Sequence, residues 1–123
     1  MCEIWMNIKN YEGIYQVSNK GNVKSLPKKL PHTSGGFRMT KERILKYTLD
    51  KDGYCMVCLT NNYAKKYIRI HRLVAEAFLP NPNGYTEINH KDEDKTNNCV
   101  ENLEWCDRKY NCNYGTRNQR LHK

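Results

Sequence analysis

Long apolar runs are missing from this chain: nothing in its 123 residues approaches the roughly 18 that a membrane-crossing helix needs. Met1-Cys2-Glu3-Ile4-Trp5 does not begin a signal-peptide pattern either. These absences argue against a membrane or exported protein and lead to the expectation of a soluble, intracellular chain. Internal repeats and low-complexity tracts are absent as well. A second CxxC pair is the remaining absence. Cysteines stand at Cys2, Cys55, Cys58, Cys99, Cys106 and Cys112, and only Cys55-Met-Val-Cys58 has the CxxC spacing of a zinc site. That pair lies in "GYCMVCLT", an apolar run between Gly53 and Asn61-Asn62 that reads as a strand. Positions 55 and 58 on a strand point to opposite faces. Reduced, packed thiols are therefore the preferred reading, with structural zinc kept open as an unfavoured one.

What is present fits one compact domain, or a small domain with a short module. Hydrophobic residues are 38% and charged residues 28%, and nine tyrosines and two tryptophans offer amphipathic surface to close a modest core. The net charge is +8, from 21 Lys+Arg against 13 Asp+Glu. Such a surplus favours a polyanionic partner, because neutralising phosphates releases condensed counterions.

Along the chain, Tyr15 and Val17, then Val23 and Leu26, flank "SNKGN", whose turn chemistry predicts a β-hairpin. Residues 27–42, with two prolines and Gly35-Gly36, read as a loop. "RILKYTLDKDGYCMVCLTNNYAKKYIRI" predicts three strands with turns at Asp52-Gly53 and Asn61-Asn62. Leu73, Val74, Ala77 and Phe78 in "HRLVAEAFL" have helical spacing, and Pro80 and Pro82 end that helix. Thr86 to Ile88 form a short strand leading into Asn89-His90. A polar, turn-rich stretch runs to Leu103-Glu104-Trp105, and a short helix follows from about Asp107 to Tyr114.

Two stretches together resemble a known family. "HRLVAEAFLPNP…INHKDEDKTNNCVENLEWCDRKYN" is similar to HNH endonucleases of the phage and intron homing type. "WMNIKNYEGIYQVSNKGNVKSL" resembles the nuclease-associated modular domain found N-terminal to such nucleases. The resemblance implies an α+β protein: a small antiparallel β module with its linker at 1–42, then a ββα-metal nuclease domain at 43–123. It implies hydrolysis of phosphodiester bonds in double-stranded DNA, by nicking or double-strand cleavage, with 5′-phosphate and 3′-hydroxyl products. Carried over position by position, His90 matches the general base and Asn89 a metal ligand. Asn111 matches the second ligand, on the closing helix, and Asn102 the middle asparagine that ties the loop holding His90. The implied cofactor is Mg²⁺ or Mn²⁺, and the implied setting is the cytoplasm of a bacterial or phage-infected cell.

The chemistry agrees with those roles. A histidine near its ordinary pKa of about 6.5 can accept a proton from water at neutral pH. A hard cation prefers oxygen ligands and keeps several waters, so two protein oxygens and a phosphate suffice. Many HNH enzymes carry aspartate where Asn89 stands, and the amide removes that charge. A non-catalytic DNA-binding module derived from such a nuclease is therefore the alternative. The bland readings are a surface histidine and turn asparagines; the spacing of Asn102 at twelve and Asn111 at twenty-one residues after His90, with Trp105 between, outweighs them. His71, at the head of the helix, is expected to be structural or to contact phosphate.

Basic residues cluster at Lys20, Lys24, Lys28 and Lys29, at Lys65, Lys66, Arg69 and Arg72, and at Arg108, Lys109, Arg117 and Arg120. Beside an HNH-like site they read as a DNA track. Within the module, Ser18, Asn19, Lys20 and Lys24 are the contact candidates. The helix-turn-helix extension of longer relatives does not follow Asn111, which leads to the expectation of a monomer of modest specificity or a homodimer.

Overall fold

The computed structural model describes residues 2–61 and 64–113. The predicted hairpin is the centre of a four-stranded antiparallel sheet ordered β1 (Trp5–Asn7), β2 (Tyr15–Ser18), β3 (Val23–Ser25), then β6 (Arg43–Ile44). Alternation explains it: Tyr15, Val17, Val23 and Ser25 are buried, while Gln16 and Lys24 between them are partly exposed. The turn is closed by Ser18 N–H donating to Asn22 O at 2.8 Å, and Ser18 Oγ accepts from Lys20 N and Asn22 N.

Between β3 and β6 the structure departs from the expected loop. β4 (Lys29–Pro31) pairs with β5 (Phe37–Met39) as a separate hairpin, in register from Lys29↔Met39 to Pro31↔Phe37. Only Leu30 among these residues is even partly buried, so the hairpin carries no apolar alternation to betray it. Because Arg43 and Ile44 pair with Ser25 and Lys24, the first sheet runs across the 42/43 junction expected between module and nuclease domain.

A second antiparallel sheet holds β7 (Thr48–Leu49), β8 (Cys55–Asn61) and β9 (Ala64–Arg69). Cys55, Val57 and Leu59 face the core; Cys58 is on the other side, as its spacing requires. Helix α1 (Ile70–Phe78) follows directly and packs against β2, β8, β9 and the C-terminal elements. It buries Ile70, Leu73, Val74 and Ala75 in one core with Val17, Val23, Val57, Ile88 and Leu103. Each buried Val, Leu or Ile among them contributes on the order of 1.5–3 kcal/mol. Its N-cap, Arg69, makes no side-chain cap, and His71 turns inward instead of serving the free amides.

The last third is β10 (Glu87–His90), a 3₁₀ turn at Val100–Asn102, β11 (Leu103–Cys106) and α2 (Arg108–Asn113). β10 and β11 pair antiparallel from Glu87↔Cys106 to His90↔Leu103, and both helices pack against β10. Asp107 caps α2, its Oδ1 accepting from Tyr110 N at 2.7 Å. Among the described residues no helix is long and apolar enough to cross a membrane.

Candidate active site

β10 delivers Asn89 and His90 as its last two residues, and both are buried, Asn89 wholly so. Neighbours on a strand leave it in different directions, and these two have separate partners.

His90 Nε2 lies 2.9 Å from Asn98 Oδ1. An amide oxygen only accepts, so Nε2 carries the proton and Nδ1 keeps a free lone pair. The ring is stacked among aromatics: His71 at 5.0 Å and Tyr54 at 5.9 Å between centroids, with His71 and Tyr54 also 5.0 Å apart. Burial pushes the His90 pKa below its ordinary value, opposed by the Asn98 bond and by Asp92 and Asp94. His71 is pulled down to about 3, first by burial and then by His90, Arg72 and Arg69. Both imidazoles are therefore neutral at pH 7, and His90 is a base ready to accept a proton.

Asn89 Nδ2 donates to Glu104 Oε1 across the strand pair at 2.9 Å. Its amide oxygen is buried and has no hydrogen-bond partner. An orphaned buried acceptor normally costs about 1–3 kcal/mol. A divalent cation would satisfy it, so the residue fits the implied metal. Asn111 sits on α2, the helix packed against β10, and is partly buried. Among the described residues no cluster of three His, Cys, Asp or Glu side chains could hold a metal. The candidate donors are thus amide oxygens, which suit a hard ion that keeps water and phosphate in its shell.

Asn102 ties down the loop after His90. Its Oδ1 accepts from Asp92 N at 3.0 Å, and its Nδ2 donates to Asp92 Oδ1 and Asn97 O, both at 2.9 Å. Asp92 also accepts from Asp94 N and Asn97 Nδ2, and Asp94 accepts from Thr96. Both carboxylates are held below their usual pKa by these bonds, Asn97 and Thr96 first. They are spent on the loop and exposed, not directed at Asn89.

The basic residues divide. Lys20, Lys65, Arg108 and Lys109 are exposed. Lys24 pairs with Glu42 at 2.9 Å and lies over Trp5. Arg69 binds Asp50 at 2.6 Å and Asp52 at 3.2 Å while covering Tyr54. Arg72 donates to Thr86 O and stands near Trp105. Arg117 and Arg120 lie outside the described residues. Ser18 and Asn19 are buried, which removes them from any DNA surface: Ser18 closes its turn, and Asn19 exchanges hydrogen bonds with Ile4. A cleft of about 530 Å³ lined by Lys9, Lys66, Arg69 and Arg72 does not include Asn89, His90 or Asn111.

A strand pair and a short helix around one histidine, one orphaned amide oxygen and an asparagine-tied loop match a family pattern. The family model described as HNH endonuclease covers residues 69–112, and the NUMOD4 motif covers residues 3–60. The chain belongs to the HNH endonuclease family. It is 40% identical over 110 residues to the DNA endonuclease I-HmuI of Bacillus phage SP01, covering 87% of this chain and 54% of that one. An HNH endonuclease of Acanthamoeba polyphaga mimivirus is 45% identical over 75 residues, 61% of this chain and 23% of the relative. A solved structure, described as DNA binding and cleavage by the HNH homing endonuclease I-HmuI, superposes with a TM-score of 0.68 at 37% identity. It covers 97% of this chain and 59% of that chain.

Sequence reading missed two members of the HNH site. Asn98 is one of the turn asparagines of the sequence analysis, although a doubled asparagine eight residues after a histidine offers a signal. Tyr54 gives none, because its approach to His90 depends on how the start of β8 meets the end of β10.

Proposed function

We propose that the chain is a divalent-metal-dependent DNA endonuclease of the homing type. The observation that carries this is the pairing of a buried, neutral His90, its Nε2 held by Asn98, with the adjacent unpartnered oxygen of Asn89. His90 Nδ1 takes a proton from a water that attacks the phosphorus. The P–O3′ bond breaks with its electron pair on O3′, which takes a proton from solvent, leaving a 5′-phosphate and a 3′-hydroxyl. Asn89 and Asn111 would hold Mg²⁺ or Mn²⁺, whose bound form supplies charge stabilisation at the phosphoryl and leaving oxygens. Asn102 keeps the 91–97 loop, and with it His90, in place. Exposed Lys20, Lys65, Arg108 and Lys109 are the proposed phosphate contacts, whereas Arg69 is engaged by Asp50 and Asp52 and Arg72 by Thr86 O.

The chain spans about half the length of I-HmuI, so the partner of the site is proposed only as double-stranded DNA. A second reading, a DNA-binding module without catalysis, is favoured by the amide at Asn89. Incubation of a panel of supercoiled plasmids and phage genomic DNA with Mg²⁺ or Mn²⁺ separates the two. Cleavage that His90→Ala lowers by on the order of 10²–10⁴-fold supports the endonuclease. Salt-sensitive binding with equal, metal-independent inactivity of both proteins supports the module.

A further inference from the structure

The hairpin turn of the N-terminal sheet reaches the hydrogen bond that orients His90. Three consecutive turn residues meet three consecutive loop residues. Asn19 O accepts from Val100 N at 2.8 Å, Lys20 O accepts from Cys99 Sγ at 3.7 Å, and Gly21 faces Asn98. At Gly21 a Cβ would stand 2.8 Å from Asn98 Cβ and 2.9 Å from Asn98 O. Neither atom is the free end of a flexible chain, so only a glycine lets the turn close on this residue. Its φ of +86° belongs to the same requirement. The turn itself is pinned from behind, because Asn19 N donates to Ile4 O and Asn19 Oδ1 accepts from Ile4 N. Asn98, buried between Gly21 and His90, thus has its backbone set by the module and its amide set on the imidazole.

We propose that the Ser18–Asn22 turn is a positioning element of the nuclease site, with Gly21 seating Asn98 so that His90 presents Nδ1 to the attacking water. The module then serves the chemistry directly, in addition to any hold on DNA. This rests on His90 being the general base.

Two variants of the full chain test it. Gly21→Ala adds the clashing Cβ. Val100→Pro removes the donor to Asn19 at the first position of a 3₁₀ turn, where proline is tolerated because the preceding Cys99 is extended (φ −64°, ψ 140°). Gly13→Ala is the control, since Gly13 also has positive φ (+80°) but nothing within 4 Å of its Cβ. On the plasmid that wild type cuts fastest with Mn²⁺, both variants are expected to lose at least tenfold in single-turnover rate, with plasmid affinity within twofold. Gly13→Ala should keep both within twofold. In ¹⁵N spectra of the imidazoles, wild-type His90 should be the Nε2–H tautomer, and both variants should lose that single state. If Gly21→Ala fails to fold, Val100→Pro decides. Wild-type His90 in the Nδ1–H tautomer overturns the proposal whatever the variants do. So do folded variants that cut at the rate of Gly13→Ala. Failure of the functional reading is distinct: there, wild type and His90→Ala would behave alike.

Discussion

Replacing His71 with glutamine should flatten the acid side of the stability curve. His71 is 6% exposed, lies 5.0 Å from both His90 and Tyr54, and its Nδ1 has no partner. Its pKa falls from 6.5 to about 3 on folding, burial being the first cause. A depressed folded-state pKa means that the unfolded chain takes up the proton first. The contribution to stability is thus intact above 6.5 and is lost as the pH falls toward the folded value. At pH 5 one such group costs about 2 kcal/mol, from 1.36 kcal/mol per unit over roughly 1.5 units. His90 adds a loss of the same sign in both proteins, and surface carboxylates cancel in the comparison. Urea unfolding at pH 7 and pH 5, followed by the fluorescence of Trp5 and Trp105, measures it. Wild type should lose about 2 kcal/mol more than His71→Gln between the two pH values. Equal losses would refute the claim that a neutral imidazole is locked beside His90.

Other expectations follow from the same contacts. Asn89→Asp places a carboxylate 2.9 Å from Glu104 in place of an amide donor; without metal the melting temperature should fall by several degrees, and Mg²⁺ should restore it. Asn102→Ala releases the 91–97 loop, lowering stability by about 1–3 kcal/mol in denaturant titrations and slowing cleavage. Lys20→Ala and Arg108→Ala should each reduce the slope of log affinity against log salt by about one, with no change in cleavage products. Lys24→Ala should leave that slope unchanged, because Lys24 is paired with Glu42.

Much of this was legible in the residues. The β2–β3 hairpin followed from turn chemistry, α1 from its apolar spacing, and the two sides of β8 from period-two alternation. A short strand at Thr86–Ile88 leading into Asn89-His90 was legible; the strand in fact runs on through both residues as β10. What escaped reading depends on tertiary contact. The exposed β4–β5 hairpin has no buried face to print a pattern. Arg43–Ile44 is too short to announce itself and exists because β3 has an edge to pair. Ser18 and Asn19 looked like polar surface, but their side chains close turns from the inside. His71 read as a helix-end residue because spacing cannot say that the helix start faces His90.

The most direct measurement of the central claim is the anomalous signal of Mn²⁺ in crystals of the chain bound to a cut-resistant duplex. One ion is expected, coordinated by the amide oxygens of Asn89 and Asn111 and by a phosphate, with His90 Nδ1 facing that phosphate and Nε2 still on Asn98. An ion held by Asp92 and Asp94 instead, or Asn89 Oδ1 left without a ligand in the DNA complex, would contradict it.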